Sequence, residues 1–117
     1  MSKDNTKYIF NGNTYCKRQL VKAIVEDYIN HHKDITFSEL EEKFPPEIQQ
    51  NTKIKIASYG IIKKTVNIPE SMTDRFFSDK IKLSDGNIIQ IFGGWDKDNI
   101  DVFIKHAEKL GYLIKSI

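Results

Sequence analysis

His31 and His32 stand side by side, and imidazole is a frequent metal ligand. Neighbouring side chains on a helix diverge by about 100°, and no cysteine or third histidine lies at ligand spacing. A solvated helix end, where histidine suits the dipole, accounts for the pair better. Cys16 opens a helical pattern, a place where a thiol pKa falls, but a catalytic thiolate needs a base that the sequence does not supply. His106 borders the apolar face of the last helical pattern and has no nucleophile beside it. A small hydrolase built on Cys16 or His106 therefore ranks behind two binding readings. The run Asp96–Asp101 has some features of a calcium loop, but Ile100 stands where an oxygen ligand is needed and Asp101 where glycine is needed, so helix capping explains its acids. Gly93-Gly94 lacks the rest of a phosphate-binding fingerprint. No catalytic residue, metal or cofactor is assigned.

Cations are the more informative groups. The formal net charge is only +2, from 18 basic and 16 acidic residues, which alone proves no polyanionic partner. Their distribution is uneven. No acid occurs between Glu47 and Glu70, while Lys53, Lys55, Lys63 and Lys64 fall there with Tyr59 among them. These four are the candidate phosphate-tracking lysines, and Lys17, Arg18 and Lys22 form a second candidate patch. Arg18 and Arg75 are the only arginines, so bidentate base reading is not the expected mode. Tyr59, Phe76, Phe77 and Trp95 are candidate hot spots for a protein partner if exposed. Trp95, after two glycines, is also suited to plug the core between a hairpin and the last helix.

The elements that position these groups can be read from local patterns. Lys7–Phe10 and Asn13–Tyr15 flank the turn signal Asn11-Gly12, a short hairpin. Leu20, Ile24 and Tyr28 form one row and Val21, Val25 and Ile29 another, predicting a helix from Lys17 to about His31, with Lys22 and Glu26 as a surface pair. Thr36 and Glu39 have capping-box spacing, and Ile35 and Leu40 staple spacing, so a second helix starts at Thr36 and runs through Phe44. Pro45-Pro46 ends it, and a further turn is expected over 46–50. Lys53–Ile56 alternates as a lysine-guarded edge strand, Tyr59–Ile62 reads as another strand, and Asn67–Ser71 as loop. Lys80–Leu83, Ser84–Asn87 and Ile88–Phe92 form a second hairpin around Asp85-Gly86. A last helix is expected from Asp98 or Asn99 to Leu110, with Gly111 ending it, and Tyr112–Lys115 as a closing strand.

At 117 residues the chain is expected to be one domain with residues 1–6 frayed. The fold class is α+β: short hairpin, helix-turn-helix-like helices, second hairpin, C-terminal helix and strand, winged-helix-like if the second hairpin serves as a wing and 46–50 as the reading helix. A single cysteine, a polar N-terminus and the lack of a long apolar run point to a cytoplasmic protein without a membrane partner.

Two blocks carry a resemblance. One is Phe10–Tyr15 with Lys17, Leu20 and Val21, then Thr36-Phe37 and Leu40 to Phe44-Pro45. The other is Ile81–Gly86, Trp95, Asn99-Ile100, Phe103-Ile104 and Leu110–Tyr112. Together they resemble a small bacterial and phage domain sometimes attached to restriction-type proteins. That resemblance implies mobile-element or defence biology and transfers no catalytic residue. The expected function is a non-enzymatic module associated with DNA or RNA. The alternative is a protein-binding inhibitor, for instance a phage product that blocks a host defence enzyme such as a nuclease.

Overall fold

The computed structural model describes residues 7–45, 61–95 and 100–117. Strands β1 (Tyr8–Phe10) and β2 (Asn13–Tyr15) pair antiparallel, with Phe10 opposite Asn13. Asn11 and Gly12, the two residues between them, have φ of 55° and 81°. Positive φ at both positions is what a type I′ turn requires. Helix α1 spans Lys17–His31 and buries Leu20, Val21, Ile24, Val25 and Tyr28, the faces set by the helical period. It contacts β1, β2 and α3 (Ile100–Lys109), so it forms the centre of the molecule.

Helix α2 spans Phe37–Lys43 and begins with a complete capping box. The Glu39 N–H donates to Thr36 Oγ1 (3.3 Å) and the Thr36 N–H donates to Glu39 Oε1 (3.0 Å). Ile35 and Leu40 are both buried beside it, as a staple predicts.

The second sheet has the order β3-β5-β4, with β3 Ile62–Lys64, β4 Ile81–Lys82 and β5 Ile88–Ile91, all antiparallel. Gly86, at φ 88°, closes the β4–β5 loop; the three residues Ser84-Asp85-Gly86 lie between the Leu83 and Asn87 hydrogen-bonded pair. At the other end of the chain α3 stops in a Schellman motif: the Tyr112 N–H donates to the Ala107 carbonyl and the Gly111 N–H to that of Glu108. β6 (Lys115–Ser116) then joins β1, giving the first sheet the order β2-β1-β6.

The α+β expectation is met: the described residues hold three α-helices and two small antiparallel sheets. Several boundaries move. Of the strand expected at Tyr59–Ile62, Tyr59 and Gly60 lie outside the described residues, and the described strand there is Ile62–Lys64; the loop expected at Asn67–Ser71 lies between and within two 3₁₀ segments, Thr65–Asn67 and Glu70–Arg75. The closing strand starts at Lys115, not Tyr112, because the Tyr112 N–H completes the helix cap and its ring packs edge-on against Phe10 at 5.5 Å. The turn expected at 46–50, the strand Lys53–Ile56 and the start of the last helix at Asp98 or Asn99 lie outside the described residues. No helix among the described residues is long and apolar enough to cross a membrane.

Candidate binding surface

In β3, Lys63 and Lys64 are adjacent strand residues, so their side chains leave opposite faces. Lys64 stands opposite Ile89 and its ammonium lies 5.0 Å from the centre of the Phe37 ring, the first residue of α2. Lys63 stands opposite Gln90 on the other face. The two lysines thus do not form one patch. Lys53 and Lys55 lie outside the described residues, as does Tyr59.

The second expected patch is dispersed too. Lys17 is buried, with its ammonium 5.8 Å from the Tyr8 ring centre. Arg18 Nε donates to the Gly93 carbonyl at 2.7 Å and the guanidinium lies over Phe77 at 5.1 Å. Lys22 pairs with Asp79 at 2.9 Å and with Glu26 at 3.2 Å. The bond to Asp79, more than the one to Glu26, holds the Lys22 pKa above its ordinary value. On α1, then, Arg18 and Lys22 fasten the helix to the segments that flank the second sheet, at Phe77, Asp79 and Gly93. They do this with the polar ends that were expected to meet phosphates.

Two of the aromatic hot-spot candidates are core residues. Phe76 and Phe92 pair across an isolated bridge and meet edge-on at 5.4 Å. Trp95 is 4% exposed, donates Nε1–H to the Phe92 carbonyl at 2.9 Å and packs on Phe103 at 5.3 Å. Burial of Phe76 and Trp95 removes them as exposed anchors. Phe77 is half-buried beneath Arg18 and Lys22.

Register places a different set together. Opposite residues of an antiparallel pair share a face. Lys63 opposite Gln90 and Lys82 opposite Ile88 therefore lie on one face of the second sheet, with Ile88 and Gln90 two apart on the central strand. Ile62, Ile89 and Ile91 take the other face and are buried. The lysine face is open toward Ile88, which is 44% exposed, whereas Gln90 is buried with its amide tied to the Phe77 carbonyl. From strand spacings Lys63 and Lys82 bracket the central strand at about 12 Å. Lys80, one residue before β4, is exposed as well. None of Lys63, Lys80 and Lys82 is ion-paired to a described residue. The acids that flank Lys80 and Lys82 in sequence are engaged elsewhere: Asp79 with Lys22, and Asp85 with the Phe37 N–H at 2.9 Å. Lys80 and Lys82 escape a reading based on acid-free stretches because Asp79 and Asp85 flank them. Their alternation with Ile81 and Leu83 was the available signal.

The histidines behave as helix-end groups. His31 and His32 donate from Nδ1 to the carbonyls of Asp27 and Tyr28, each at 2.8 Å, and His106 donates from Nε2 to the Lys43 carbonyl. His31 and His32 border a cleft of about 460 Å³ at the α1–α2 turn. No group of three or more metal-ligating side chains occurs among the described residues. Cys16 occupies the N-cap of α1 without a side-chain capping bond.

No protein-family model, curated protein or solved structure matches this chain.

Proposed function

We propose that this chain is a non-enzymatic binding module whose ligand is nucleic acid, in the phage or bacterial defence setting that its sequence resemblance implies. The observation that carries the reading is the pairing register of the second sheet, which sets Lys63 and Lys82 on one face beside the exposed Ile88. No strand position of that face is acidic, and the two carboxylates that flank β4 in sequence, Asp79 and Asp85, are already bonded. A phosphate backbone laid there meets positive charge without competition from acids of the same face, and neutralising it releases counterions.

The test is equilibrium binding of fluorescent oligonucleotides at low salt to the parent chain and to the double variant Lys63→Glu/Lys82→Glu. Both positions carry solvent-accessible side chains without described ion pairs, so the variant keeps the fold. The reading expects measurable binding that weakens as salt rises and is weaker in the variant than in the parent. Undetectable binding of single strands and duplexes at low salt overturns it.

A second reading, an inhibitor docked on a host protein, draws on another surface. Leu113 and Ile117 are 87% and 65% exposed, and Ile117 pairs with Lys7 at the edge of the first sheet. This reading expects a captured partner to survive nuclease digestion and to be lost on Leu113→Asp.

A further inference from the structure

We infer that the nucleic acid is a single strand lying across the lysine face of the second sheet, not a duplex read by a helix and a wing. The inference rests on the nucleic-acid reading above. Three observations carry it.

The β4–β5 turn is occupied. In a winged arrangement this turn would be free to follow a groove. Here Ser84 Oγ lies 2.7 Å from the Asp34 and Ile35 carbonyls, the Ser84 N–H donates to the Ile35 carbonyl at 3.3 Å, and Asp85 accepts from the Phe37 N–H. Asn87 donates to Asp85 from its backbone at 3.0 Å and its side chain at 2.8 Å. The turn is a clasp on the α1–α2 connection, and its polar groups are spent on it.

The expected reading turn at 46–50 lies outside the described residues, but helix α2, the second of the helix-turn-helix-like pair, has the wrong sign for a groove. Its seven residues include Glu39, Glu41 and Glu42 against Lys43 alone. The N–H groups of Thr36 and Phe37 at its start already hold two carboxylates, Glu39 and Asp85. A duplex carries one negative charge per ~1.7 Å of axis, so the three carboxylates of α2 disfavour its entry into a groove.

The lysine face has the charge and the apolar surface that a single strand uses. Lys63 and Lys82 stand on the two outer strands and Ile88 on the middle one. Backbone phosphates meet the ammonium groups while unstacked bases cover Ile88. A base pair buries its faces in the stack and offers that side chain nothing comparable.

The experiment compares a mixed-sequence single strand of about 12 nucleotides with a duplex of about 12 base pairs, each by anisotropy over a salt series. The inference expects the single strand to bind at least about tenfold tighter. It also expects Lys63→Glu/Lys82→Glu to lower the log–log salt slope for the single strand by about 1.4, two phosphate contacts at about 0.7 each. Equal or tighter duplex binding overturns the single-strand inference while the nucleic-acid reading stands; a slope that the variant leaves unchanged takes the contact off the lysine face and overturns both. Absence of binding to either probe overturns both.

Discussion

Asp85 shows how one carboxylate decides what a surface can do. Its carboxyl is held below the ordinary aspartate range, chiefly by the Phe37 N–H and then by the Asn87 N–H. A folded-state value below the unfolded one adds stability that is present above the unfolded value and is lost as pH falls through the folded one. The loss therefore begins below about pH 4. In Asp85→Asn the charge is gone at every pH, so the variant is less stable than the parent at neutral pH and the difference narrows on acidification. Urea midpoints across a pH series measure this, and a gap that stays constant with pH removes the electrostatic account of the clasp. Lys22 has the opposite sign: its pKa is raised by Asp79, so its contribution is complete below the unfolded value and fades as pH rises through the folded one. The sequence shows the charge of Lys22 but not its bond to Asp79, because the two residues are far apart along the chain.

At the scale of elements, legibility followed locality. Thr36 and Glu39 lie three residues apart, both halves of their reciprocal bond are visible in the sequence, and the helix starts where the pattern put it. Replacing Thr36 with alanine removes the acceptor for the Glu39 N–H and should cost about 1 kcal/mol, read as a shift in denaturation midpoint; no shift would mean that the Ile35–Leu40 contact alone sets the start. Gly111 and the two apolar rows of α1 were equally local. The lysine face was not. Whether Lys63 joins Lys64 or Lys82 depends on strand alternation and on which residue of β5 stands opposite, and a cluster of cations along the chain carries no such register. The 3₁₀ segments after β3 were likewise hidden, since Asn67-Ile68-Pro69 reads equally as open loop.

Across the whole molecule, a continuous series of ring contacts joins the parts: Phe76 to Phe92, Phe92 to Trp95, Trp95 to Phe103, Phe103 to Phe44, and Phe44 to Tyr28. It links the second sheet, α3, the end of α2 and α1. Phe103 is fully buried at its centre, so Phe103→Ala should cost about 3–5 kcal/mol in chemical denaturation, with a single transition for all parts of the chain. Separate transitions for the two sheets would show that the series does not couple them. Gly94 belongs to the same packing: a β-carbon there would overlap the Phe92 ring, which is held between Phe76 and Trp95. This core accounts for Phe76 and Trp95, two of the aromatic residues that a partner was expected to touch, while Lys63 and Lys82 share a face of the second sheet and pair with no described acid. Backbone amide shifts recorded while a single-stranded oligonucleotide is added test most directly whether that face binds. The largest changes should fall on Lys63, Lys82, Ile88 and their strand neighbours; changes concentrated on α2, or on the Lys7–Ile117 edge of the first sheet, would contradict it.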